Sequence, residues 1–99
     1  TLADTVHAAS YALRHGGRLA MVHLPERLGE IVLALHAEHL AVKRLRMVQP
    51  RADRAPNLML IEAVKGAALT GMRHESALIV RDVEGRYTEE IRSIYGEEM

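Results

Sequence analysis

The segment at residues 16–40 limits what this chain can fold into more than any other, because an apolar run stands directly before a well-marked helix start. Residues 18–24 hold five apolar side chains with hardly a polar interruption, which is typical of a strand covered on both faces. Pro25 then supplies a fixed φ and lacks an N–H, and both properties suit the first turn of a helix. A strand that leads into a helix predicts an α/β fold with a largely parallel sheet and right-handed crossovers.

The helix after this proline has the pattern of a helix that buries one face. Glu26 lies in the first turn, where the helix dipole favours a negative charge, and the pattern ends near Leu40. The side chains that share one face at helical spacing are Leu28, Ile31, Val32, Leu35 and His39. We therefore predict that this helix packs its aliphatic stripe onto the sheet.

A helix also precedes the first strand. Thr1 and Asp4 have the spacing of a helix start, and apolar residues repeat at helical intervals until Gly16 and Gly17. We predict that this glycine pair is the C-cap of the helix. The pair does not match a dinucleotide-binding loop, because such a loop follows a strand and precedes a helix.

The remaining residues predict three more strands and a last helix. In order these are a strand at 43–49, a polar loop at 50–57, a strand at 58–64, a loop at 65–74, a short strand at 77–80, and a helix that Thr88 caps and Gly96 ends. The short loop at 50–57 predicts an antiparallel pair of strands. Together the elements predict a single α/β domain over residues 1–99.

The composition excludes several classes of protein. With 99 residues, 48% hydrophobic and 26% charged, the chain can bury a modest aliphatic core and does not resemble a disordered chain. Thirteen basic and 13 acidic side chains leave no net charge, so any contact with nucleic acid has to be local. Cysteine is absent, and no apolar run is long enough to span a bilayer. We therefore predict a cytoplasmic protein with no membrane partner.

The polar loop at residues 50–57 carries the strongest candidate site. Arg51, Asp53, Arg54 and Asn57 gather there, and Arg46 stands just upstream. Guanidinium and amide groups can hold phosphate or hydrogen-bond a base edge, so this cluster is a candidate binding site for such groups. The alternative is a solvated hairpin tip with an internal Asp–Arg pair.

The six histidines raise the question of a metal site. His36 and His39 have an i, i+3 spacing that can place two imidazoles on one side of a helix. A site needs a third ligand and a supporting shell, and no recognisable spacing provides them, so we predict no metal. A nucleophilic triad is not predicted either, because Ser76 and Thr88 have no evident base partner.

Three stretches resemble the C-terminal part of bacterial S-adenosylmethionine-dependent methyltransferases. They are HLPERL at residues 23–28, P-x-x-D-x-x-P-N at 50–57, and LIVRD-x-EGRYTEEIR-x-IYG at 78–96. Among these enzymes the chain is similar to the tRNA N6-adenine methyltransferases of the tRNA-Val anticodon-loop type, which have a Rossmann-like small methyltransferase domain. The resemblance covers nearly the whole chain.

The resemblance implies the C-terminal half of a Rossmann-like methyltransferase sheet: a helix, a parallel strand, a helix, an antiparallel strand pair, and a short C-terminal strand and helix. The glycine-rich cofactor loop, the acidic residue for the cofactor ribose and the Asn-Pro-Pro-Tyr motif for the target adenine would lie upstream, and none occurs in this sequence. No residue here therefore receives a catalytic or cofactor-binding role. The resemblance does imply that the loop at residues 51–57 faces substrate RNA, which makes Arg46, Arg51, Arg54 and Asn57 candidate contacts for RNA. S-adenosylmethionine is expected for the parent enzyme and not for this chain alone.

Two functions from different classes follow. The first is the C-terminal fragment of an S-adenosylmethionine-dependent methyltransferase that acts on tRNA, inactive by itself; a start at Thr1, inside a helix, fits a piece of a longer chain. The second is a non-catalytic module that binds RNA or associates with itself. We favour the first.

The strand at residues 18–24 also predicts an assembly. If its neighbour on one side is missing, its edge exposes unpaired N–H and C=O groups, and no proline or inward charge discourages pairing with another copy. We therefore expect a homo-oligomer, joined through this strand or by exchange of the first helix.

Overall fold

The computed structural model describes residues 1–95, which form a sheet with helices on both faces. The elements in chain order are α1 (Leu2–Ala12), β1 (Arg18–His23), a 3-10 turn (Pro25–Arg27), α2 (Leu28–Ala37), β2 (Leu40–Arg51), β3 (Leu58–Lys65), β4 (Arg73–Arg81) and α3 (Glu89–Tyr95). Gly96, the predicted end of the last helix, lies outside the described residues. The predicted α/β class is confirmed.

Strand β3 lies between β1 and β2, so the sheet has the order β1-β3-β2-β4. It pairs antiparallel with both neighbours, whereas β4 pairs parallel with β2. The prediction of a largely parallel sheet is therefore wrong for the described residues, and β1, predicted as a parallel strand, has an antiparallel partner. The short loop after β2 returns the chain at once and makes β3 an antiparallel partner of β2. The other side of β3 then pairs with β1, which is a contact between residues distant in sequence.

This arrangement makes β1, β2 and β4 run in the same direction and end on one side of the sheet. We call this side the carboxyl edge. It carries the end of β1, the β2–β3 loop at residues 52–57 and the turn from β4 to α3 at 82–88. The opposite side, the amino edge, carries the end of α1 and the start of β4.

Helices α1 and α2 cover one face of the sheet and form the main core with it. Val6 of α1 and Ile31 and Leu35 of α2 are fully buried, as the helical spacing predicted for α2. The strand residues in this core are Leu40, Val42, Leu45, Met59, Ile61 and Ala63. Residues of β1 alternate between exposed and half-buried, so the prediction that this strand is covered on both faces is wrong within the described part of the chain.

Helix α3 covers part of the opposite face. Its buried Ile91 packs against Val48 of β2 and Leu78 of β4. The helix begins where predicted, because the Thr88 hydroxyl accepts the N–H of Ile91 at 3.4 Å. The rest of this face, over β1 and β3, stays open among residues 1–95.

Helix α1 starts as predicted and ends earlier than predicted. The Thr1 hydroxyl accepts the N–H of Asp4 in a complete capping box, but the helix stops at Ala12. Gly16 and Gly17 are therefore not its C-cap. They form the turn that leads into β1, in which Gly16 has a φ of +83° that favours glycine.

A lysine from the sheet supplies the missing cap of α1. Lys65, the last residue of β3, donates from Nζ to the backbone C=O of Leu13 at 2.8 Å and also to that of Ser10. A cation at the C-terminus of a helix interacts favourably with its dipole. The cap was invisible in the sequence because Lys65 lies 52 residues from Leu13.

Two strands are several residues longer than the sequence predicted. Strand β2 begins at Leu40 instead of residue 43, and β4 spans Arg73–Arg81 instead of 77–80. The loop predicted at 65–74 shrinks to 66–72. The first half of β4 is polar and has no strand-like apolar pattern; it forms because it pairs with β2, where Glu75 receives a hydrogen bond from Arg44.

Gly66 gives a test of this packing. It has a φ of +78°, and a Cβ at this position would overlap the imidazole ring of His15, whereas Gly71 has a φ of +80° and open space around it. Because left-handed strain and overpacking add, we expect Gly66→Ala to lower the free energy of unfolding by about 2–4 kcal/mol and Gly71→Ala by about 1 kcal/mol. Urea denaturation measures both. Removing the ring with His15→Ala should recover most of the difference, and equal losses in the two glycine variants would contradict the packing argument.

Candidate functional site

The β2–β3 loop at the carboxyl edge is an ordered turn. The Gln49 side chain donates to the C=O of Arg54 at 2.8 Å, and the N–H of Asn57 donates to the C=O of Val48 at 3.0 Å. These bonds hold the loop against the end of β2. Its side chains at residues 52–57 are exposed, so the loop presents them to solvent.

Three of the four predicted RNA contacts lie on this loop or at its start. Arg51 is the last residue of β2, and its side chain is 41% exposed; Arg54 and Asn57 are exposed on the loop itself. Arg51 forms an ion pair with Asp53, with 3.7 Å between Nε and Oδ1. This is the internal Asp–Arg pair of the alternative prediction, but the distance is too long for a hydrogen bond.

Arg46, the fourth predicted contact, is not brought to the loop. It lies in the middle of β2, where Nη2 contacts Oε2 of Glu90 at 2.6 Å and Nε donates to the C=O of Ser76 at 2.8 Å. Its side chain is only 20% exposed. Helix α3 passes beside this part of the sheet and supplies the glutamate, so Arg46 joins α3 to the sheet.

The structure adds basic residues that the sequence analysis did not single out. Arg81 ends β4, and its Cα is the register partner of that of Arg51. Arg86 and Tyr87 follow in the next turn, and the Arg81 guanidinium lies 4.1 Å from the centroid of the Tyr87 ring. The neighbourhood of Arg51 and Arg81 depends on strand pairing, so only a correct prediction of the full length of β4 would have revealed it.

A ladder of charges crosses the open face of the sheet, with one residue from each strand. Arg18 of β1 contacts Glu62 of β3 at 2.6 Å, Arg44 of β2 contacts the same carboxylate at 3.7 Å, and Arg44 also donates to Glu75 of β4 at 2.8 Å. The hydrogen bond from Arg44 lowers the pKa of Glu75 below its ordinary value. The same bond raises the pKa of Arg44.

A groove of about 400 Å³ lies on this open face. Its apolar side is formed by Ala20, Val22 and Leu60, and its polar side includes Glu62 and Glu75 of the ladder. Both carboxylates are already paired with arginines. The groove is therefore apolar on one side and charge-balanced on the other.

His36 and His39, the pair considered for a metal, border a smaller recess of about 150 Å³ near the start of β2. Among residues 1–95, no group of three histidine, cysteine, aspartate or glutamate side chains is placed to hold a metal ion. His39 has a φ of +60° at the junction of α2 and β2, and its C=O accepts the N–H of Gly66 at 2.8 Å. Its observed role is thus to join this junction to the end of β3.

The fold is similar to that of a solved protein described as a predicted O-methyltransferase from Agrobacterium tumefaciens. The TM-score is 0.81 at 22% sequence identity, and the match covers 94% of this chain. The chain has the fold of part of a methyltransferase. It spans 44% of the length of that protein. No family model and no curated protein sequence matches it, so the resemblance to tRNA N6-adenine methyltransferases stays a prediction.

Residues 1–95 do not by themselves fit S-adenosylmethionine. A nucleoside cofactor on a fold of this kind uses a glycine-rich turn after a strand and a free carboxylate for the ribose. The turn after β1 contains no glycine and is closed by the N–H of Arg27, which donates to the C=O of Leu24 at 3.1 Å. The turn after β4 holds one glycine, Gly85, and its Asp82 carboxylate already accepts two backbone N–H groups of the turn. The carboxylates that line the groove are ion-paired. Separately, none of the helices within residues 1–95 has the length and apolar character needed to cross a membrane.

The charge ladder predicts an acid dependence of stability. A carboxylate with a lowered pKa contributes stability at pH values above its unfolded pKa, about 4.3 for glutamate, and loses it as the pH falls through the folded value. We expect Glu75→Gln to flatten the fall in Tm between about pH 5 and pH 3, measured by circular dichroism. Glu26→Gln, at an exposed position outside the ladder, is the matched control. An equal slope for wild type and Glu75→Gln would contradict a role for the Arg44–Glu75 pair.

Proposed function

We propose that this chain is the C-terminal part of an S-adenosylmethionine-dependent methyltransferase that acts on RNA, with adenine N6 of a tRNA as the target. The observation that carries the proposal is the methyltransferase fold, which extends over 94% of the chain but only 44% of the similar protein. On this proposal the cofactor belongs to residues that this chain does not contain. When bound, S-adenosylmethionine supplies the methyl group.

The position of the basic residues supports an RNA substrate. Ligands of open α/β sheets bind beyond the carboxyl ends of the strands. The carboxyl edge carries Arg51 and Arg54 from one loop and Arg81 and Arg86 from the adjacent turn. Guanidinium groups on exposed loops can contact RNA phosphates and fix how the substrate lies on the enzyme.

The motifs that resemble tRNA N6-adenine methyltransferases support the narrower target. The HLPERL motif begins at the end of β1, the P-x-x-D-x-x-P-N loop follows β2, and the RD-x-EGRY portion of the last motif follows β4. All three therefore have residues at the carboxyl edge. A surface that faces a substrate would bring such motifs to one side of the sheet. Motifs that only maintain the core would be buried.

The test uses the protein translated from the complete open reading frame that contains residues 1–99. With methyl-labelled S-adenosylmethionine and unmodified tRNA, we expect N6-methyladenosine in the RNA, identified by mass spectrometry of nucleosides. Residues 1–99 alone should give no product and no heat of cofactor binding in calorimetry. Methylation of another base, or of no RNA, by the complete protein would contradict the proposal.

Two pairs of arginines provide matched variants for this assay. Arg51→Ala with Arg54→Ala removes two charges from the carboxyl edge, and Arg14→Ala with Arg73→Ala removes two from the amino edge. We expect only the first pair to raise the KM for tRNA, by about tenfold at low salt, because phosphate contacts are electrostatic. Equal effects of both pairs would show that only the net charge of the protein matters, and would contradict an RNA contact at the carboxyl edge.

A second candidate, a self-associating module, is favoured by the free edge of β1. Within residues 1–95 this strand pairs only with β3. The C=O of Gly17 accepts the N–H of Lys65, so by the alternation of a strand the backbone groups of Arg18, Ala20 and Val22 point away from β3. Such a row of unpaired groups can pair with a second copy of the chain.

Sedimentation equilibrium of residues 1–99 tests this association. We expect a dimer at about 100 micromolar, well above a typical weak association constant. Val22 is 57% exposed on the edge strand, and Val22→Lys should shift the chain to a monomer because charge on an edge strand opposes pairing. Leu33, 72% exposed on α2, gives the control Leu33→Lys, which should remain dimeric. A wild-type monomer would contradict the association.

A further inference from the structure

We propose that Arg51 and Arg81 hold one phosphate group of the RNA backbone between them, as a two-arginine clamp at the carboxyl edge. The inference rests on the RNA substrate proposed above and gives a role to Arg81, which lies outside the β2–β3 loop. A guanidinium group suits this ligand because its planar N–H fork binds phosphate oxygens in pairs.

The two side chains converge on the same short turn. Their Cα atoms are register partners in the parallel pair of β2 and β4. Arg51 donates from Nη2 to the C=O of Val83 at 3.1 Å, and Arg81 donates from Nη1 to the C=O of Gly85 at 2.9 Å. Because these acceptors are two residues apart, both guanidinium groups are held over one turn before a ligand arrives.

Tyr87 fixes the orientation of Arg81. The guanidinium lies over the tyrosine ring, and Nη2 donates to the phenolic oxygen at 3.0 Å. The tyrosine is half-buried against the cluster formed by Val48, Leu78 and Ile91, so the ring is anchored in the fold. An arginine has more N–H donors than these two bonds use, and the others remain for an oxyanion.

The carboxylates of the turn are occupied elsewhere. Asp82 accepts the N–H groups of Glu84 and Arg86 at 2.9 and 3.0 Å, and Glu84 is ion-paired with Arg86. Asp53 is ion-paired with Arg51, but the 3.7 Å separation is too long for a hydrogen bond and leaves N–H groups of Arg51 for a phosphate. Like charges on paired strand positions repel each other. A phosphate between the two arginines would turn this repulsion into attraction for a ligand.

The test measures binding of a fluorescein-labelled single-stranded oligoribonucleotide to the full chain by fluorescence anisotropy, from about 50 to about 200 mM NaCl. For Arg51→Gln with Arg81→Gln we expect about tenfold weaker binding at low salt. Affinity falls as salt rises, so a plot of the logarithm of the association constant against the logarithm of the salt concentration has a negative slope. This slope should become less steep by about 0.7, the value for one phosphate contact on a single strand. Each single replacement should lose nearly as much as the double, since either one breaks the shared contact.

Arg14→Gln with Arg73→Gln removes the same charge at the amino edge and should leave the affinity and the slope unchanged. If the slope of the clamp variant became less steep by about 1.4, the two arginines would each contact a separate phosphate, and this result would overturn the clamp. Equal losses in the clamp and control variants would overturn it as well.

A second variant covers the case in which the glutamine variant fails to fold. Arg51→Lys with Arg81→Lys keeps both charges and should bind RNA with intermediate affinity. An affinity equal to that of the wild type would contradict a forked contact.

Inorganic phosphate gives a direct view of the two groups. Titrated into the full chain, it should shift the Nε–H resonances of Arg51 and Arg81 in NMR spectra and leave that of Arg73 in place. No shift at either arginine would overturn the clamp. If the complete enzyme transfers methyl groups but the clamp variant keeps the salt dependence of the wild type, the clamp is wrong and the proposed function stands. If RNA binding depends on the two arginines but the complete protein transfers no methyl group, the proposed transferase function is wrong and the clamp stands.

Discussion

The insertion of β3 between β1 and β2 is the arrangement on which the rest of the structure depends. Met59, Ile61 and Ala63 of this strand are buried beneath α1 and α2, and its last residue, Lys65, caps α1. Because both neighbours are antiparallel to β3, they run in one direction and end on the same side. The end of β1 and the end of β2 therefore both lie at the carboxyl edge, and β4, parallel to β2, adds its own end there.

Local features of the fold could be predicted from the sequence. Pro25 marks the turn before α2, Thr1 and Asp4 form the predicted capping box, and the short loop before Leu58 makes a hairpin. These features depend on neighbouring residues. The place of β3 beside β1, the polar first half of β4 and the capping by Lys65 depend on contacts distant in sequence, which single-sequence patterns do not contain.

The candidate site shows the same division. Arg51, Arg54 and Asn57 were visible as one polar loop, and the structure keeps them together. Arg46 was grouped with them because it is close in sequence, but it lies within β2, six positions before the loop, and its side chain contacts its own neighbours, here Glu90 of α3. Arg81 could be joined to the site only through its register with Arg51, a relation between strands and not between adjacent residues.

The central position of β3 also sets the order in which the chain can become a sheet during synthesis. Arg18 of β1 pairs with Val64, so α1, β1 and α2 leave the ribosome long before the strand that unites them. Among residues 1–95, Leu19 and Met21 gain a neighbouring strand only when β3 has been made. The hairpin of β2 and β3 requires only local contacts and can form first. Within residues 1–95, β1 therefore completes its pairing only by docking onto a hairpin that can already be formed.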